Sequence, residues 1–80
     1  MEKRFTIIVN GEEVKDVKQV LTFVDVLDIA FPKPRPVPDS DYSITFKNAE
    51  SSPRNGQLNP GGTIEVKNGT HFDVTPTNKS

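Results

Sequence analysis

The chain has 80 residues, enough for one domain whose core is small and must be fully used. It has no cysteine, which excludes a disulfide framework and a thiolate metal site. Ten basic and eleven acidic residues leave a net charge of −1, too little field to recruit nucleic acid or an anionic membrane surface.

The opening "MEKRFTIIVN" has an apolar run too short for a signal sequence or a membrane span, so a soluble, cytoplasmic chain is expected. "FTIIV" alternates: Phe5, Ile7 and Val9 share one face of a strand, with Thr6 and Ile8 on the other. Asn10-Gly11 tolerates the positive φ values of a two-residue type I′ turn, which predicts a hairpin with Val14 on the returning strand. From Val17 to Val20 the alternation blurs and the register is open.

"LTFVDVLDIAF" carries a complete helix start: Thr22 as N-cap, Asp25 closing a capping box, Leu21 and Val26 as a hydrophobic staple. Phe23, Val26, Leu27 and Ala30 form the buried stripe, Asp25 and Asp28 look outward, and Pro32 ends the helix. "PKPRPVPDSD" holds four of the chain's seven prolines and reads as a stiff, extended surface crossing. "YSITFKN" is a strand with Tyr42, Ile44 and Phe46 on one face. "AESSPRNGQLNPGG" reads as a long loop anchored by Leu58, and "TIEVKNGTHFDV" as a second Asn-Gly hairpin, turning at Asn68-Gly69. The fold class is α+β. The order strand, strand, helix, three strands is that of a β-grasp, a mixed sheet of four to five strands on one helix with first and last strands parallel. The domain is placed at residues 1–75, with 76–80 as a flexible tail.

Few residues suggest chemistry. His71, the sole histidine, has only Asp73 beside it on the strand face opposite Phe72 and Val74, too little for a metal site or an acid–base pair. Asp25, Asp28, Asp39 and Asp41 lie close in sequence, but the first two are assigned to a cap and a solvated face, which disfavours a carboxylate pair. "NPGG" at 59–62 lacks the lysine and following helix of a phosphate loop and reads as a turn. The sequons "NGT" and "NKS" are chance matches without an export signal. The proline run has the character of a ligand for an aromatic groove, but a rigid connector is the simpler reading. Ile8 alone is no apolar patch. Neither an enzyme nor a bound cofactor is expected.

Together, "FTIIVNGEEV", "LTFVDVLDIAFP", "YSITFKN", "LNPGGTIEVKNGTHFDVT" and the closing "TNKS" resemble the bacterial multiubiquitin domain family. The resemblance implies a ubiquitin-like β-grasp, often encoded beside homologues of ubiquitin-activating and conjugating enzymes and a deconjugating or processing peptidase. It also implies a protein modifier whose C-terminal carboxylate is adenylated and passed to a target, with ATP and magnesium held by the partner. Thr75, Pro76, Thr77, Asn78, Lys79 and Ser80 would then form the conjugation arm, about 20 Å when extended. The alternatives are a non-conjugated adaptor that binds through its sheet face or proline run, and a thiocarboxylate sulfur carrier of the same fold.

Overall fold

The computed structural model describes residues 3–77. Strands β1 (Phe5–Val9) and β2 (Glu12–Val17) form the first hairpin, and Asn10 and Gly11 take φ values of 51° and 82°, as a type I′ turn requires. β3 (Val20–Thr22) runs directly into helix α1 (Phe23–Ala30). The proline crossing ends in a 3₁₀ turn at Asp39–Asp41, followed by β4 (Tyr42–Lys47), β5 (Gly56–Leu58), β6 (Thr63–Glu65) and β7 (His71–Pro76). The main sheet has the order β2-β1-β7-β4-β5, with β1 and β7 parallel and the other pairs antiparallel. The architecture is thus α+β, a mixed five-stranded sheet with one helix among the described residues, consistent with a ubiquitin-like β-grasp.

Three expectations change. The stretch 49–62 is not all loop, because Gly56–Leu58 forms the edge strand β5, placing Leu58 opposite Ile44. β3 and β6 form a separate antiparallel ribbon, Val20 to Thr22 facing Glu65 to Thr63, and Val66 N–H adds a bond to Gln19 O at 2.9 Å. The Asn68-Gly69 turn therefore does not close a hairpin. It hands the chain from the ribbon to the main sheet, where β7 is taken up between β1 and β4 on both edges.

The register left open after Val14 is set by a bulge. Phe5 pairs with Val17 and Ile7 with Val14, so two residues of β1 span three of β2. Asp16 absorbs the extra residue at φ 62°. Without it, Val14 and Val17 would point to opposite faces; with it, Val17 is buried and Val14 packs half-buried against the same core.

The helix start forms as its sequence dictates. Thr22 Oγ1 accepts the Asp25 N–H at 3.1 Å, and Asp25 Oδ2 accepts the Thr22 N–H at 3.0 Å. Phe23, Val26 and Leu27 are buried, while Ala30 is only half-buried. Beneath them lie Ile7, Ile44, Phe72 and Val74 from the three central strands, all essentially inaccessible.

The Thr22 backbone N–H, assisted by the Thr22 hydroxyl and Lys18 and opposed by partial burial, lowers the Asp25 pKa. A lowered folded-state pKa means that the cap stabilises fully above the ordinary carboxylate range and is lost as pH falls through the lowered value. Thr22→Ala should cost about 1 kcal/mol in urea denaturation at neutral pH. The stability gap between wild type and Asp25→Asn should be constant near neutrality and close on acidification below the ordinary carboxylate range.

Candidate functional site at the C-terminal exit

β7 sits third of five strands, and its parallel contact with β1 is fastened along its whole length. Gly69 N–H donates to Thr6 O, Ile8 N–H to Thr70 O and Asn10 N–H to Phe72 O, each at 2.9 Å. Both ends are closed by asparagine side chains. Asn68 Oδ1 accepts the Thr6 N–H at 2.8 Å. At the other end Asn10 Nδ2 donates to Val74 O at 3.1 Å and Asn10 Oδ1 accepts the Val74 N–H at 2.8 Å, so one side-chain amide replaces a further strand residue where β1 has already turned. The sequence reading credited these asparagines only with their turns.

Beside this zipper, Thr70 is the one fully buried polar residue of the described chain. Its hydroxyl donates to Asn48 O at 2.8 Å and accepts the Lys67 N–H at 2.9 Å, tying the entry of β7 to the end of β4.

On its other edge β7 pairs with β4, Ser43 facing Thr75 and Tyr42 facing Pro76. Two residues assigned to the arm, Thr75 and Pro76, are thus sheet residues. Val74 N–H points toward Asn10 on the β1 side, and the two-residue period aims the nitrogen of Pro76 the same way. β1 has ended there, so the missing proline donor leaves no ladder bond unmade. Thr77 is held as well: its N–H and its hydroxyl both donate to Asp41 O, at 2.6 and 2.8 Å. Of the expected arm, Asn78, Lys79 and Ser80 lie outside the described residues.

Asp41 is the last residue of the 3₁₀ turn, whose first residue, Asp39, is held by Arg35 from within the proline crossing. The Arg35 side chain is only 3% exposed, although its acidic partners are about half exposed. Its Nη1 donates to Asp28 Oδ1 at 2.7 Å and to Phe31 O at 2.9 Å, and its Nε donates to Asp39 Oδ1 at 2.9 Å. The bond to Asp28 raises the guanidinium pKa further, aided by Asp39 against the effect of desolvation. Helix α1 has no basic residue in its last turn, and Arg35 brings a cation to that end from outside the helix. The same guanidinium joins the helix to the 3₁₀ turn, and the Phe31 and Tyr42 rings meet 5.1 Å apart beside it. The signal in the sequence is a lone arginine among prolines with an aspartate four residues on and another seven residues back.

The remaining candidates fall into structural roles. His71 is exposed on the open sheet face, its Nδ1 3.1 Å from Gly69 O, with Asp73 facing Thr45 on the neighbouring strand. Among the described residues no three His, Cys, Asp or Glu side chains are grouped to hold a metal ion. At "NPGG", Gly62 N–H donates to Asn59 O at 2.9 Å and Gly61 takes φ 84°, a tight turn into β6.

Asn10→Gly keeps a residue suited to the turn but removes both side-chain bonds to Val74. Urea denaturation should show a loss of about 1–3 kcal/mol, whereas Gly11→Ala should act through backbone strain alone. Thr77→Val, which deletes the hydroxyl but not the N–H bond to Asp41, should cost about 1 kcal/mol or less and raise amide exchange at the end of β7.

No helix among the described residues is long and apolar enough to cross a membrane. No curated protein and no solved structure matches the chain. The family model described as Multiubiquitin matches residues 5–78, from the first residue of β1 to just past the Asp41–Thr77 contact. The chain belongs to the multiubiquitin family of ubiquitin-like domains.

Proposed function

We propose that the domain is a protein modifier, joined to a target through the C-terminal carboxylate of its mature chain. The observation that carries this reading is the exit of β7. The central strand is gripped on both edges and its last described residue is pinned to Asp41, so whatever follows Thr77 leaves a rigid body at one fixed point. A tail delivered into a partner's active site gains from such a base, because the rest of the domain then supplies a constant docking surface.

The chemistry belongs to the partners. An adenylating enzyme homologous to ubiquitin-activating enzymes would let the carboxylate attack the α-phosphate of ATP, expelling pyrophosphate. A thiolate of that enzyme or of a conjugating-type enzyme would then displace AMP from the acyl-adenylate, and a target amine would displace the thiolate to leave an amide. Family membership supports these partner classes, together with a peptidase that trims or removes the modifier. Asn78, Lys79 and Ser80 belong to the proposed arm, and Thr75 to Thr77 to its anchor.

The test is intact mass spectrometry of the purified protein incubated with its adenylating enzyme, with and without ATP. An ATP-dependent thioester or amide adduct through the C-terminal residue, or enzyme-dependent trimming followed by such an adduct, is the expected result. A thiocarboxylate product would move the protein to the sulfur carriers. A chain unmodified by demonstrably active enzymes would overturn the modifier reading in favour of an adaptor that binds through its sheet face or its proline crossing.

A further inference from the structure

Among the described residues β2 has a ladder with β1 alone, so its other side is an open edge of the main sheet. Which of its backbone groups face that edge follows from β1. Thr6 and Ile8 turn theirs toward β7, since Gly69 N–H donates to Thr6 O and Ile8 N–H to Thr70 O. Ile7, between them, faces β2 and pairs with Val14, while Ile8 stands opposite Glu13. The two-residue period of the strand then turns the N–H and C=O of Glu13 and Lys15 outward. Both side chains are exposed, and neither forms an ion pair among the described residues.

We infer that this edge binds a second copy of the chain, the two β2 strands pairing antiparallel about a two-fold axis at Val14. An outward backbone group pairs only with another outward group. An antiparallel copy can therefore set Glu13 against Glu13, Lys15 against Lys15, or Glu13 against Lys15. The first two oppose like charges directly, which is destabilising. The third opposes unlike charges twice, because the signs in Glu13-Val14-Lys15 reverse about Val14. Each Glu13–Lys15 pair exchanges both of its backbone bonds, and Val14 meets Val14 as the non-bonded pair, whose side chains approach most closely.

Val14 lies on the helix side of the sheet. There it and Ile29, both half-buried, line two adjoining clefts along β2, one reaching Val9 and Phe31 and the other Val17 and Leu21. A two-fold axis perpendicular to the sheet keeps both helices on one face, so the apolar strips of the two copies meet over the new pair of strands.

The contact limits itself. Beyond Lys15 the register sets Asp16 against Glu12 of the second copy, a like-charged pair, and the bulge at Asp16 takes the strand out of line. Charges and a bulge guard an edge against indiscriminate pairing, and here they leave one short register open. The two-fold pair uses up both β2 edges, so this contact closes at the dimer.

Sedimentation equilibrium of the full chain from about 10 µM to about 1 mM should show a weak monomer–dimer equilibrium, as a small interface implies. Glu13→Lys and Lys15→Glu each oppose like charges twice and should weaken the dimer roughly tenfold. An equimolar mixture of the two variants should regain it, since one chain then carries lysine at both positions and the other glutamate at both. The double exchange E13K/K15E should dimerise like wild type. Glu50→Lys and Lys33→Glu, exposed positions outside β2, should leave the equilibrium unchanged, alone or mixed. A chain still monomeric at about 1 mM, a dimer indifferent to both β2 reversals, or variants that do not recover on mixing would overturn the assignment.

Discussion

The parallel contact between β1 and β7 is the constraint on which the rest of the structure depends. It joins residues about sixty apart in the chain, with bonds such as Thr6 to Asn68 and Asn10 to Val74, so its closure commits nearly the whole chain. A parallel pair cannot be made by a local turn, and its two strands here are only five and six residues long. The protein compensates at the ends, where short ladders otherwise fray, by giving each end an asparagine side chain that imitates backbone. Once β7 is held there, β4 has an edge to add to and β5 an edge beyond that.

This arrangement explains why the sequence disclosed some elements and hid others. β1, the type I′ turn, the capping box of α1 and β4 rest on local rules of alternation, positive φ and i to i+3 pairing, all visible within ten residues. The bulge at Asp16 breaks alternation and so erased the very signal used to read β2. β3, β5 and β6 are three residues each, too short for any period to register, and they exist because distant partners supply their ladders. The second Asn-Gly was misread as a hairpin for a related reason. A turn signal predicts a reversal of the chain, but pairing across it depends on whether another strand competes for the same edge, and β1 and β3 both do.

The exit was half legible. The alternation Phe72, Val74, Pro76 runs on into the stretch assigned to the arm, and it could have placed Thr75 and Pro76 in the sheet. What proline forbids depends on which side its nitrogen faces, and that is a property of strand order rather than of sequence. Arg35 was the larger omission. Its burial follows from two carboxylates and a helix-end carbonyl converging on one guanidinium, from positions seven residues before to four residues after it. Composition shows four prolines and suggests a spacer, but the prolines serve to carry the chain around a buried cation without needing donors of their own.

Arg35 and the β1–β7 zipper act on the same few residues from opposite directions. The zipper fixes where β7 runs, and Arg35 fixes the 3₁₀ turn whose last carbonyl receives Thr77. Neither suffices alone: a straight β7 with a loose turn would let Thr77 fray, and a firm turn with a loose β7 would have nothing to receive. The two meet at Asp41, whose contribution is its backbone oxygen and not its carboxylate. A search for acidic catalytic residues therefore passes over the position for the wrong chemical reason. Among the described residues Asp25 is bound into the helix cap, Asp28 and Asp39 into the Arg35 brace, and His71 and Asp73 lie on the open sheet face, so what the fold builds at the exit of β7 is a fixed backbone position.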